Sequence, residues 1–269
     1  MKKLCMLMCV LIPVLVFVSC GGKAGDLESI KKRGEIVLYT DPSWPPFEYV
    51  GPAGETIGVD IDIANRIADD IGVKLRVVNG EFDAFPLALQ NTQVDMGISG
   101  ITITEDRKEA LDFSIPYADL VQYIVKSISN TDIKNLNSLA GLRIGVQKGT
   151  TGDFWVDENI KNGVLKGSGA ELVQFKTVQE AMLSMKKGDL SALVCDKPIA
   201  NNLAAVNKEF NTVEASRADG TITNEEFGVA VKKGNKTLLD AINGTLKEMI
   251  SNGDIAKSVE YHTANSALR

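Results

Sequence analysis

Short apolar runs and helical stretches alternate along this chain. Residues 35–40, 74–78, 94–98, 121–125, 141–146, 190–194 and 227–231 are rich in Val, Ile, Leu and aromatics, most of them bounded by Gly, Pro, Asp or Asn, and each reads as a strand. Between them apolar positions fall at helical spacing. Ile63, Ala64, Ile67, Ala68 and Ile71 form one face ahead of Gly72, and helices are predicted over 82–90, 132–140, from Asp153, and over 177–187, 201–206 and 238–250. A short helical turn opened by Asp26 or Ser29 and closed at Arg33–Gly34 precedes the first strand. Residues 41–47 carry three prolines, which forbid helix and a central strand, and 54–58 read as a turn. Strand–helix alternation throughout predicts an α/β fold.

The first twenty residues break this pattern. Lys2 and Lys3 precede an apolar run over 4–18 that stops at Ser19-Cys20-Gly21-Gly22, the layout of an export signal. Cys20 resembles the modified cysteine of a bacterial lipoprotein. Phe17 stands where that motif has an aliphatic residue, so plain secretion with cleavage near Ser19 is the alternative. Residues 21–26 would be a tether. Of four cysteines, Cys5 and Cys9 fall in the leader, leaving only Cys20 and Cys195, so neither an internal disulfide nor a thiolate metal site is expected. Net charge is −6, and −6 − 2 = −8 once Lys2 and Lys3 are removed, which gives no electrostatic basis for binding nucleic acid. With 44% hydrophobic and 24% charged residues, the composition is that of a globular protein.

The densest chemistry lies in 97–117, GISGITITEDRKEALDFSIPY. Ser99 and Gly100 end a strand with open backbone groups, Thr102 and Thr104 add hydroxyls, and Arg107 offers a fork for a carboxylate. A surface pairing of Arg107 with Glu105 or Asp106 is equally compatible with these residues. Asp41 and Trp44 sit in the rigid proline loop, although Trp44 packed under the prolines is the simpler reading. Phe82 by spacing alone is a core residue. Gln147-Lys-Gly-Thr150-Thr151-Gly152 joins a strand to a helix, where amides and dipole favour an anion, but it lacks the phosphate-loop spacing. Asp196 follows a strand and serves equally well as a helix N-cap. Asp60 and Asp62 suggest a metal pair only weakly, since no other acid cluster accompanies them. An EF-hand around Gly220 fails because Ala215 and Arg217 occupy ligand positions.

GITITEDR with LDFSIPY resembles the signature of family 3 solute-binding proteins, the amino-acid receptors of bacterial ABC importers. Three further stretches match in order: Gly58-Val-Asp-Ile-Asp, the aromatic-Asp segment from Phe82 to "DMGISG", and Asp196-Lys-Pro-Ile-Ala. The resemblance spans about 27–265. It implies a two-lobed periplasmic binding protein of type II, each lobe a mixed sheet flanked by helices. Lobe 1 would comprise 27–119 and 225–269, lobe 2 would comprise 120–224, and 1–20 would be the leader. It implies that Arg107 and the amides of Thr102 and Thr151 take an α-carboxylate, while Asp196, the Thr102 hydroxyl and the Gly100 carbonyl take an α-ammonium. Ser99 and Thr150 belong to the same motifs, and Asp41, Trp44, Phe82 and Gln147 would contact the side chain. Asp41 favours Arg, Lys, ornithine, His or Gln over Asp or Glu. No cofactor or metal is implied. Expected partners are a free amino acid, an ABC permease and ATPase, and a bacterial membrane reached through the lipid anchor, with the protein monomeric and outside the cytoplasm. The alternatives are an exported dehydratase of prephenate or arogenate type, and a sensor or adhesin lipoprotein.

Overall fold

The computed structural model describes residues 25–266; the leader, Cys20 and most of the tether lie outside the described residues. Two five-stranded mixed sheets organise the chain. In the first, the spatial order is Lys74–Asn79, Glu35–Thr40, Met96–Gly97, Ala230–Lys232, Leu111–Phe113. In the second it is Glu171–Phe175, Arg143–Gln147, Ala192–Asp196, Gln122–Ser127, Phe210–Glu214. Within each, three parallel strands come first and the antiparallel pairings lie at one side. The molecule is therefore α/β with two lobes, each a mixed sheet flanked by helices.

Between the sheets runs a two-stranded antiparallel ribbon, Ala118–Leu120 with Glu225–Phe227. The sequence reads 227–231 as one strand, but the structure divides the run. Glu225–Phe227 pairs in the ribbon and Ala230–Lys232 in the first sheet, while the Gly228 amide between them donates to the Ile101 carbonyl at 3.0 Å. One apolar run thus serves two sheets, which periodicity cannot separate.

The helix Val59–Ile71 buries Ile63, Ala64, Ile67 and Ala68 and ends at Gly72 in the left-handed region, as its spacing predicts. Other elements differ from expectation. Residues 82–90 divide into a 3₁₀ turn, Phe82–Ala84, and a short helix, Phe85–Gln90, because Pro86 suits only a first helical turn. The helix expected over 132–140 is a 3₁₀ turn, Leu136–Leu139, capped by Asn135. The proline loop contributes an edge strand, Ser43–Trp44, to a small sheet with Glu48–Val50 and Thr56–Ile57. A last helix, Asp254–Ser266, was not foreseen. Its composition is largely polar, and it is held by Ile255 and by His262, which bonds Tyr49 Oη at 2.9 Å and Asp62 at 3.1 Å.

Candidate functional site

Asp41, Ser43, Trp44, Glu48, Phe82, Gly100, Thr102, Arg107, Gln147, Thr150, Thr151 and Asp196 enclose one cavity of about 280 Å³ between the two sheets. Ten of the eleven residues singled out from the sequence meet there. Ser99 does not line the cavity. Its hydroxyl accepts from the Asp41 amide at 2.9 Å and donates to Glu48 at 2.9 Å, so it braces two lining acids from behind.

Arg107 lies on the helix Glu105–Ala110, whose first turn is capped by the Thr104 hydroxyl. A surface pairing with Glu105 or Asp106 is not what forms, since Glu105 pairs with Lys108. The guanidinium instead donates to the carbonyls of Thr102 at 2.7 Å and Gly149 at 3.0 Å, and it packs over Phe82 and Phe85, 5.5 Å from each ring centre. Burial lowers its pKa to about 10, while nearby Glu225 and Asp196 oppose that shift, so it stays charged at neutral pH. Phe82 therefore lies on Arg107 as well as on the cavity.

Facing it, Asp196 ends the strand Ala192–Asp196 and occupies an N-cap position, yet its side chain makes no capping hydrogen bond. Its carboxylate accepts from Gln122 Nε2 at 2.8 Å, and burial followed by the charge of Glu225 raises its pKa well above the usual range. Trp44 Nε1 lies toward this carboxyl and favours its ionised form without closing a hydrogen bond.

At the far end, Asp41 follows the strand Glu35–Thr40 and accepts from Gln147 Nε2 at 2.8 Å across the cleft. Burial raises its pKa to about 6, against hydrogen bonds that lower it. Glu48 is fully buried and its pKa is raised well above normal, by burial and then by Asp60. Gln147 Oε1 is a buried acceptor without a protein donor, whereas Glu48 bonds both Ser99 and Asp60. Asp60 and Asp62, the weak metal pair, point to different tasks. Asp60 receives the Gly100 amide at 2.8 Å and Tyr117 Oη at 2.9 Å, whereas Asp62 pairs with His262 and Ser258. No acid, His or Cys group fit for a metal is found among the described residues.

Sequence reasoning missed Ser43, Glu48, Gln122 and Glu225. Ser43 and Glu48 adjoin residues already singled out, in the proline loop and just after Phe47, so proximity offered a signal. Gln122 and Glu225 had none, because their role depends on where two strands cross.

Two sheet-and-helix lobes joined by a strand ribbon, with a polar cavity between them, are the architecture of a two-lobed binding protein. A family model described as bacterial extracellular solute-binding proteins, family 3, matches residues 36–264, and the chain belongs to that family. The L-cystine-binding protein TcyJ of Escherichia coli (strain K12) is 28% identical over 232 residues, covering 86% of this chain and 83% of TcyJ. The amino acid ABC transporter substrate-binding protein AbpA of Streptococcus pneumoniae Canada MDR_19A, solved bound to L-arginine, superposes with a TM-score of 0.82. It is 26% identical and covers 89% of this chain and 99% of its own. An ancestral arginine-binding protein bound to arginine is 36% identical, with a TM-score of 0.78 and coverage of 86% and 98%. An ancestral arginine-binding protein bound to glutamine is 35% identical, with a TM-score of 0.77 and coverage of 86% and 98%.

Proposed function

We propose that this protein captures a free α-amino acid with a cationic side chain between its two lobes and presents it to an ABC importer. The single observation that carries the ligand class is the excess of acid around one cavity. Asp41, Glu48 and Asp196 line it, and among the described residues Arg107 is its only lining cation. An α-carboxylate on the Arg107 fork and an α-ammonium against Asp196 use one charge of each sign. What remains is the Asp41–Glu48 end, with an unpartnered acceptor on Gln147, and this end suits a guanidinium or ammonium. Trp44 supplies an apolar face for the stem of such a side chain. Arginine in AbpA and in an ancestral arginine-binding protein agrees with this chemistry; glutamine, in the other ancestral structure, fits the acceptors but leaves the acids uncompensated.

Lobe 1 is taken as 27–119 with 225–269 and lobe 2 as 120–224, with the ribbon of Ala118–Leu120 and Glu225–Phe227 as the hinge. Arg107 and Asp196 then belong to different lobes, so ligand contacts in both supply the free energy of closure. The anchor through Cys20 rests on the sequence alone, and intact-mass measurement of the exported protein tests it. The dehydratase reading finds little support, since the chain's one histidine, His262, is engaged by Tyr49 and Asp62 and does not line the cavity. A thermal-shift screen against the common amino acids tests the ligand class. Arginine, lysine or ornithine should raise the melting temperature most, and stabilisation by glutamate alone would overturn the reading.

A further inference from the structure

Glu225 closes the ribbon strand where the two lobes meet, and its carboxylate collects donors from both sides. Oε2 accepts from the hydroxyl of Thr102 at 3.1 Å and from that of Thr151, while Oε1 accepts from Gln122 Nε2 at 3.0 Å. Gln122 Nε2 also donates to Asp196 at 2.8 Å, so one amide nitrogen ties Glu225 to the acid in the cavity wall. A carboxylate has no proton to give, so both threonines must be the donors. Their two hydroxyl oxygens lie 3.4 Å apart, and neither has a proton left for the other. Thr102 and Thr151 line the cavity and Glu225 stands behind them.

A hydroxyl whose proton is committed backward offers only lone pairs forward. We propose that Glu225 is a positioning residue for the ligand's α-ammonium. By drawing the Thr102 and Thr151 hydroxyl protons toward itself, it turns both hydroxyls into acceptors on the cavity side. This rests on the reading of the cavity as an amino-acid site. The α-ammonium then meets the Asp196 carboxylate and the Thr102 lone pair, and the negative charge of Glu225 behind them adds to its attraction. Because Glu225 bridges Thr102 on the first-sheet side and Thr151 on the second, this wall is assembled only as the lobes come together.

The test is a pair of calorimetric titrations, with L-arginine and with 5-guanidinopentanoic acid, which is arginine without its α-amino group. The second ligand is titrated at millimolar concentration. Glu225→Gln keeps the shape, removes the charge, and puts donors where the threonine protons point. It should weaken arginine binding at least about tenfold, the scale of a hydrogen bond to a charged group, and change the analogue by less than about twofold. Equal losses for both ligands would mean that Glu225 merely supports the fold, and no loss would mean that it does not act on the ammonium; either overturns the proposal. If Glu225→Gln does not fold by circular dichroism, Glu225→Asp retains the charge and should give a smaller loss, again confined to arginine. An unselective loss in that variant overturns the proposal too. Failure of the unaltered protein to bind any basic amino acid would instead overturn the function from which this follows.

Discussion

In the proposed function Arg107 and Asp41 hold the two ends of the ligand, and each gives a separate expectation. Arg107 already spends donors on Thr102 and Gly149, and the rest of its fork faces the cavity. Removing a buried charge partner leaves the other charge unpaired, so Arg107→Ala should weaken amino-acid binding by at least about thirtyfold in calorimetry. Arg107→Lys should not restore it, because a single ammonium cannot hold two carbonyls and a carboxylate in one plane. Asp41 must be ionised to hold a cation, and its pKa stands at about 6. Affinity for arginine should therefore rise as pH increases from 5 to 7 and level off above, and Asp41→Asn should flatten that part of the profile. The sign reverses for stability without ligand. The pKa values of Asp41 and Asp60 are both raised to about 6 in the folded state, so the folded protein binds more protons than the unfolded chain. Melting temperature should then rise as pH falls from 7 toward 5, an increase that bound arginine should diminish.

At the scale of elements, the start of the helix Val59–Ile71 carries a sharp constraint. Gly58 has φ of +135°, and a Cβ there would lie 2.1 Å from the Phe47 carbonyl oxygen, which also receives the Asp60 amide at 2.9 Å. Gly58→Ala should cost more than about 1 kcal/mol in urea unfolding, from strain and from the displaced carbonyl. It should also weaken binding, because Asp60 holds the Gly100 amide beside the cavity. Much of this was legible in the sequence. The helix face of Ile63, Ala64, Ile67 and Ala68 and its stop at Gly72 follow from local pattern, whereas Thr102, Arg107 and Asp196 were singled out through the resemblance to family 3, their residues alone leaving a surface ion pair or a helix cap open. The split of 227–231 was not legible, because the same Phe-Gly-Val-Ala run suits either sheet. Glu225 was missed for the same reason: nothing local tells that one end of that run meets Gln122 and two threonines. Phe82 was read as either core or ligand contact; it is buried, and its ring lies on Arg107 and lines the cavity.

Across the whole molecule, the two halves touch around the cavity mouth through Lys148 with Asp83 at 2.7 Å, Lys176 with Glu81, and Gln179 Nε2 with the Ser43 carbonyl at 2.9 Å. The lysines are more than half exposed, so solvent screening leaves each pair only a small contribution to the contact between the halves. Reversing both charges, Lys148→Glu with Lys176→Glu, should speed ligand release severalfold in stopped-flow measurement and leave the melting temperature almost unchanged. Closure itself should appear as a smaller radius of gyration in X-ray scattering when arginine is added. The central claim is that Arg107 and the acids opposite it hold the two ends of one zwitterion. Calorimetric titration of the unaltered protein with L-arginine and with agmatine, which has the same guanidinium and amine but no carboxylate, tests it most directly. Arginine should bind, and agmatine at least about thirtyfold more weakly for want of a partner for Arg107; equal affinity for the two would contradict the account.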